Sequence, residues 1–180
     1  MKLIILDRDG VINEDSDDYI KSPEEWLPVP GSLEAVTRLY QAGYRVVVAT
    51  NQSGVGRGLF DIETLHRIHA KMHRRLAQLG GMIEAVFFCP HTPEDGCGCR
   101  KPGTGLFEQI RERLGVDLTG VPCVGDSLRD VQACRAAGAA PILVRTGKGA
   151  RTAAAGEGLA GVPVFDDLAA VADHVLAAER

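Results

Sequence analysis

No apolar run in this chain is long enough to cross a membrane or to form a secretory core. The opening Met1-Lys2 leads into Leu3-Ile4-Ile5-Leu6, four apolar residues that stop at Asp7. A secretory core takes about 7–15 such residues and a spanning helix about 20. No membrane partner is expected, and the cytoplasm is the expected location. Basic charge is not in excess either. Lys and Arg total 20 against 24 Asp and Glu, a formal net charge of −4, so no sequence-wide positive field attracts nucleic acid. No internal repeat is visible. With 45% hydrophobic and 24% charged residues the composition excludes disorder, and 180 residues suit one domain spanning 1–180.

Cysteine is sparse and unevenly spread. The five residues Cys89, Cys97, Cys99, Cys123 and Cys134 are an odd number, and three fall within eleven positions. In a reducing compartment, clustered cysteines bind metal more often than they pair. Cys89-Pro90-His91 and Cys97-Gly98-Cys99 offer three thiols and an imidazole, a donor set that fits tetrahedral Zn²⁺. A Cys97–Cys99 disulfide and reduced loop cysteines are the alternatives. Gly96 and Gly98 are expected to allow the tight backbone that ligands one residue apart require. Cys123 and Cys134 read as small core residues.

What the sequence has in abundance is alternation. Leu3–Leu6, Tyr44–Ala49, Ala85–Cys89, Val121–Val124, Pro141–Val144 and Val162–Phe165 are short, nearly continuous apolar runs, as in strands buried on both faces of a parallel sheet. Between them lie stripes with helical spacing: Leu33, Val36, Leu39 and Tyr40; Leu65, Ile68, Met72, Leu76 and Leu79; Phe107, Ile110 and Leu114; Leu168, Val171 and Val175. Gly43, Gly80, Gly115 and Gly138 stand where helices end, and Asp61 and Thr104 stand where two begin. The stretch Lys148–Gly161 reads as a mobile loop. The pattern predicts an α/β fold, a Rossmann-like three-layer sandwich around a mostly parallel sheet.

In such sheets the site gathers beyond the carboxyl ends of the strands. The residues there carry chemistry: Asp7-Arg8-Asp9-Gly10, then Thr50-Asn51-Gln52-Ser53-Gly54, then Arg100-Lys101-Pro102, then Gly125-Asp126-Ser127-Leu128-Arg129-Asp130. If the first and fourth strands are central, the carboxylates of Asp7, Asp9 and Asp126 converge. Without a counter-ion that convergence is costly, and Mg²⁺ characteristically takes a few carboxylates together with phosphate and water.

Those four segments, with Val11-Ile12-Asn13 completing the first, resemble the motifs of the haloacid dehalogenase superfamily in order, over residues 3 to about 147. Within it the chain resembles the branch holding the heptose 1,7-bisphosphate and histidinol-phosphate phosphatases. The resemblance implies a phosphatase with an aspartyl-phosphate intermediate. Asp7 would be the nucleophile and Asp9 the acid and base. Mg²⁺ would sit on the Asp7 side chain, the Asp9 backbone carbonyl and Asp126. Thr50 and the groups beside it, Asn51, Gln52 and Ser53, would hold the phosphoryl oxygens, and Lys101 would offset developing charge. Asp130 would orient its loop or Lys101. The cysteine loop resembles that branch's zinc loop, with Cys89, His91, Cys97 and Cys99 as a structural set that fixes where Arg100 and Lys101 point.

The gaps after Asn13 and Ser53 leave no room for an inserted cap, so loops must choose the substrate. Asp15, Ser16, Asp17 and Asp18, then Arg57, and Arg100 in the zinc loop are the candidates, with Arg100 best suited to a second phosphate. The expected substrate is a small-molecule sugar bisphosphate, handled by a monomer and feeding cell-envelope heptose synthesis. The alternatives are histidinol phosphate and a non-catalytic zinc-stabilised binding module; the acidic balance disfavours polynucleotide ends. Two departures from the family pattern stand out: Ser16-Asp17-Asp18-Tyr19 where a shorter Gly-Tyr turn is usual, and Ser127 where some members have lysine.

Overall fold

The structure, a computed structural model, describes residues 1–179. Six runs pair as strands: β1 (Leu3–Leu6), β2 (Arg45–Asn51), β3 (Ala85–Cys89), β4 (Pro122–Gly125), β5 (Ala140–Val144) and β6 (Val164–Phe165). All pairs are parallel, in the order β3-β2-β1-β4-β5-β6. The chain builds outward from β1 to one side and then returns to its other side, so β1 and β4 flank the point where the order reverses. Crevices for ligands form at such points.

Strand periodicity of two divides β1 between the layers. Ile4 and Leu6 pack with Val36, Leu39, Ile68, Met72 and Val171 on one face; Leu3 and Ile5 pack with Leu106, Phe107, Ile110 and Ala133 on the other. The first set belongs to α1 (Ser32–Gln41), α3 (Ile62–Gln78) and α7 (Leu168–Ala177), the second to α4 (Gly105–Leu114) and α5 (Leu128–Ala136). This is the three-layer sandwich that the pattern predicts. Between β1 and α1 there is only a 3-10 turn at Pro23–Glu25, and between β2 and β3 only the one-turn α2 (Ser53–Gly56) and α3. Trp26 from the first of these connections is fully buried. Among the described residues no helix is long and apolar enough to cross a membrane.

Several local expectations change. Tyr40 and Leu79 sit at the edges of their stripes and are exposed, because a 3.6-residue period carries helix ends away from the core. Gly43, Gly80, Gly115 and Gly138 all take positive φ. Asp61 accepts from the Thr64 N–H at 2.7 Å, whereas Thr104 makes no capping bond and its hydroxyl goes to Glu108 at 2.9 Å. The stretch expected to be a loop contains α6 (Gly149–Ala155); three consecutive alanines favour helix even without an apolar stripe. The helix α5 shows no large apolar stripe either, since it buries Val131, Ala133, Cys134 and Asp130.

Leu39→Ala empties part of the layer between α1 and the sheet. It should lower unfolding stability by about 2–5 kcal/mol, read by urea unfolding through the fluorescence of Trp26, the single tryptophan.

Candidate active site

The tips of β1 and β4 bring Asp7 and Asp126 together, because the Asp7 N–H continues the ladder to the Val124 carbonyl at 2.9 Å. One turn into α5, Asp130 points back at the same place. Its Oδ2 accepts from the Asp126 and Ser127 N–H groups at 3.0 and 3.1 Å and from the Ser127 hydroxyl at 3.0 Å. Oxygens of Asp7, Asp126 and Asp130 lie within 4.8 Å of one another. Gly125 makes the approach possible, since a Cβ there would stand 2.3 Å from that of Asp130. Gly10, at φ +82, does the same for Asp126: a Cβ would fall 2.0 Å from its Oδ2. That oxygen accepts from the Lys148 N–H at 2.9 Å.

Lys101 is the buried counter-charge. Its Nζ lies 2.7 Å from Asp130 Oδ1 and 3.4 Å from Asp7 Oδ1, and donates to the Ala49 carbonyl at 2.8 Å. Burial opposes its charge, but Asp130 and Asp7 outweigh that and raise its pKa above the ordinary lysine value. Asn51 fixes Lys101 through the backbone, accepting from its N–H at 3.0 Å and donating to its carbonyl at 3.1 Å.

Asp9 is held by a separate set. Its Oδ1 takes Arg8 Nε at 2.9 Å and Asn13 Nδ2 at 3.0 Å, and its Oδ2 takes Gln52 Nε2 at 3.0 Å. Gln52 also donates to the Thr50 hydroxyl at 3.0 Å. The side-chain amides of Asn51 and Gln52 are therefore bonded to Lys101 and Asp9.

The electrostatics divide the acids into two classes. Burial, then Asp130, pushes Asp7 up to about 7, with Lys101 pulling the other way. Burial, Asp130 and Asp7 push Asp126 up to about 8. For Asp9, burial is overcome by Arg8, Asn13 and Gln52, and for Asp130 by Lys101 and the Ser127 contacts; both are lowered. Two cations, Arg8 and Lys101, thus face four carboxylates. The unbalanced acids are Asp7 and Asp126, and a hard divalent cation with oxygen ligands matches that deficit in charge and donor type.

These groups floor a cavity of about 390 Å³. Asp7, Asp9, Asp15, Ser16, Asp17, Thr50, Asn51, Gln52, Ser53, Arg57, Arg100, Lys101 and Asp126 all line it, and Asp18 does not. Two cations missed in the sequence also line it, Arg129 and Lys148. Arg129 lies inside the fourth motif, and Lys148 follows the β5 tip, so the strand-end rule applied once more would have found it. Among the described residues, Tyr19 is the non-glycine with positive φ, at 66°, and its ring lies 5.7 Å from the Arg57 guanidinium.

Beside the cavity, the Cys89 Sγ lies 3.5 Å from His91 Nδ1 and 3.6 Å from Cys97 Sγ; Cys99 Sγ lies 3.3 Å from His91 Nδ1 and 3.7 Å from Cys97 Sγ. These edges match the about 3.6–3.8 Å of a tetrahedron with zinc-like bond lengths. None of the three cysteines is in a disulfide or close enough for one. Gly96 takes φ 66°, while Gly98 has an ordinary φ and open space beside it, so the tight turn rests on Gly96. Desolvation opposes the Cys97 thiolate, yet the Arg100 N–H and the neighbouring cysteines hold its pKa below the ordinary value.

If the acids repel as described, the sign of the pH effect is fixed. A carboxyl with a raised folded-state pKa adds stability below its unfolded value, and this is lost as pH rises through the folded one. In the presence of chelator, Asp126→Asn should raise the thermal midpoint by several degrees near pH 8.5 and leave it nearly unchanged near pH 4. An equal shift at both pH values would contradict the assignment.

The chain matches two family models: the HAD-hydrolase-like family over residues 98–171, and the polynucleotide kinase 3 phosphatase family over residues 2–130. It is 61% identical over 176 residues to a D-glycero-β-D-manno-heptose-1,7-bisphosphate 7-phosphatase of Bordetella bronchiseptica, covering 98% of both chains. Over 97% of both chains it is 54% identical to the protein of that name from Pseudomonas aeruginosa. The crystal structure of D,D-heptose 1,7-bisphosphate phosphatase from B. bronchiseptica, complexed with magnesium and phosphate, superposes with a TM-score of 0.97 at 60% identity over 99% of each chain. On this coverage and identity, the chain belongs to the D-glycero-β-D-manno-heptose-1,7-bisphosphate 7-phosphatase family of HAD-like hydrolases.

Proposed function

We propose that this protein is a Mg²⁺-dependent phosphomonoesterase that removes the 7-phosphate of D-glycero-D-manno-heptose 1,7-bisphosphate, with Asp7 as nucleophile. The observation that carries this reading is the partition of the acids. Asp7 and Asp126 converge without sufficient counter-charge, while Asp9 and Asp130 each have a cation of their own. The names of its relatives supply the sugar.

Mg²⁺ held by the Asp7 and Asp126 carboxylates and the Asp9 backbone carbonyl supplies the charge neutralisation that lets an anionic nucleophile meet an anionic ester. The remaining chemistry belongs to the chain. The Asp7 carboxylate attacks phosphorus, the bond from phosphorus to the sugar oxygen breaks, and Asp9 gives that oxygen a proton. Asp9 then takes a proton from water, which attacks phosphorus and returns the Asp7 carboxylate with inorganic phosphate. Its neighbours hold Asp9 as an anion at rest, the form needed for the second step. The first step needs a proton carried in with the phosphate or retained as that anion raises its affinity. Lys101, fixed by Asn51 and Asp130, offsets charge on the transferring group, and the Thr50 hydroxyl and the backbone N–H groups of Asn51 and Ser53 receive its oxygens; the Gln52 N–H is spent on the Cys89 carbonyl at 2.8 Å.

For the second phosphate we propose the part of the cavity lining formed by Arg57, Arg100 and Arg129, where the charges of Arg57 and Arg129 act on Arg100. That lining favours a bisphosphate over histidinol phosphate, whose ammonium would meet three arginines; of the acids, Asp15 is occupied with Lys148 Nζ at 3.5 Å. We further propose that the protein works as a monomer in the cytoplasm. We also propose structural Zn²⁺ on Cys89, His91, Cys97 and Cys99. With four protein ligands it has no open position for substrate, and it sets the direction of the adjoining Arg100-Lys101.

Asp7→Asn should abolish turnover while the thermal midpoint is retained; an active variant would exclude the aspartyl phosphate. Heptose bisphosphate should exceed histidinol phosphate in kcat/KM by at least about tenfold for one of its two anomers, and the reverse order would replace the substrate. Metal analysis should find one zinc per chain, lost in Cys97→Ser with a fall in kcat; a fully active zinc-free protein would remove the structural role.

A further inference from the structure

Beneath the site lies the counter-cation of Asp9, which does not itself line the cavity. Arg8 is fully buried, and a guanidinium carries only donors, all of which need acceptors once water is removed. Nε donates to Asp9 Oδ1 at 2.9 Å. Nη2 comes within 2.8 Å of the same oxygen but is not aligned as a hydrogen bond. Nη1 lies 3.0 Å from His69 Nε2. Because arginine cannot accept, His69 Nε2 must, which fixes the ring as neutral with its proton on Nδ1.

His69 is 61 positions away in sequence. It lies on the buried face of α3, between the core residues Ile68 and Met72, with its ring tilted against Phe88 at 6.5 Å between centroids. The other two groups on Asp9 come from elements at the strand ends: Asn13 follows β1, and Gln52 follows β2. Arg8 alone ties Asp9 to a long helix, and it does so through one bond on each of two edges of its planar guanidinium. With Nε as the only aligned bond, the guanidinium could pivot about it; the bond to His69 stops that rotation.

We propose that His69 is a positioning residue for hydrolysis: its neutral Nε2 fixes the Arg8 guanidinium, which in turn fixes the orientation of the Asp9 carboxylate. This rests on the role given above to Asp9. The sequence shows His69 only as one of three histidines on α3, and a core histidine filling space is the competing account. Burial, followed by the charge of Arg8, pushes the His69 pKa down to about 3, in agreement with the tautomer that the geometry requires.

The test compares His69→Leu, which keeps apolar volume and removes the acceptor, with His69→Gln, whose Oε1 can still accept. Both are assayed on heptose bisphosphate with Mg²⁺, after thermal melts establish folding. In the Leu variant kcat should fall by about tenfold or more, since a misplaced proton-transfer group costs that much. KM and the Mg²⁺ concentration for half-activation should stay within about twofold, and Gln should restore most of kcat. A Leu variant within about twofold of wild type, an equal loss in Gln and Leu, or a loss confined to KM would overturn the proposal. A second readout needs no variant: nitrogen NMR of the wild-type histidines should find a His69 with Nε2 unprotonated and Nδ1 protonated, and the opposite tautomer would overturn it. Failure of the hydrolytic reading looks different, as an inert wild type or an active Asp7→Asn.

Discussion

Buried like charge at two neighbouring strand tips is the constraint on which this structure turns. Asp7 and Asp126 belong to β1 and β4, which the topology places side by side, and Asp130 leans on both from the first turn of α5. One lysine cannot balance three carboxylates in a site from which water is largely removed. The fold nevertheless holds them there, with Gly10 and Gly125 giving up side chains so that the carboxylates can close in. A site arranged at such cost is built for an external cation and an anion that arrives with it.

Around that cluster the supporting groups fall into two circuits that do not share members. One runs along the chain from the cysteine loop through Arg100 to Lys101, where Asn51 holds the backbone and Ala49 and Asp130 lock the ammonium. The other runs from α3 through His69 and Arg8 to Asp9, with Gln52 and Asn13 completing the shell. The first aims a positive charge; the second aims a carboxylate. Their separation explains why two aspartates only two positions apart differ in proton affinity, Asp7 raised and Asp9 lowered.

Much of this was legible in the residues. Continuous apolar runs marked the parallel strands, and the polar residues following them located the site, because position after a strand is a local property. The donor types of Cys89, His91, Cys97 and Cys99 likewise required no structure to suggest metal. What escaped was whatever depends on partners distant in sequence. Nothing in the sequence links Arg8, in the first motif, to His69, 61 positions on; the fold places them 3.0 Å apart. The side-chain amides of Asn51 and Gln52 are bonded to Lys101 and Asp9, contacts that the polar run after β2 does not announce. The helix α6 lacked an apolar stripe to announce it, and Lys148 at its start went unnoticed with it.

The claim that Asp7 and Asp126 await a divalent cation is tested most directly by calorimetric titration of Mg²⁺ into metal-free protein. Run near pH 7.5 in two buffers of different ionisation enthalpy, it counts the protons released on binding. Carboxyls raised to about 7 and about 8 must give up protons to take the ion, so the account predicts net proton release that shrinks toward pH 9. Binding with no proton release at either pH, or undiminished binding to Asp126→Asn, would contradict it.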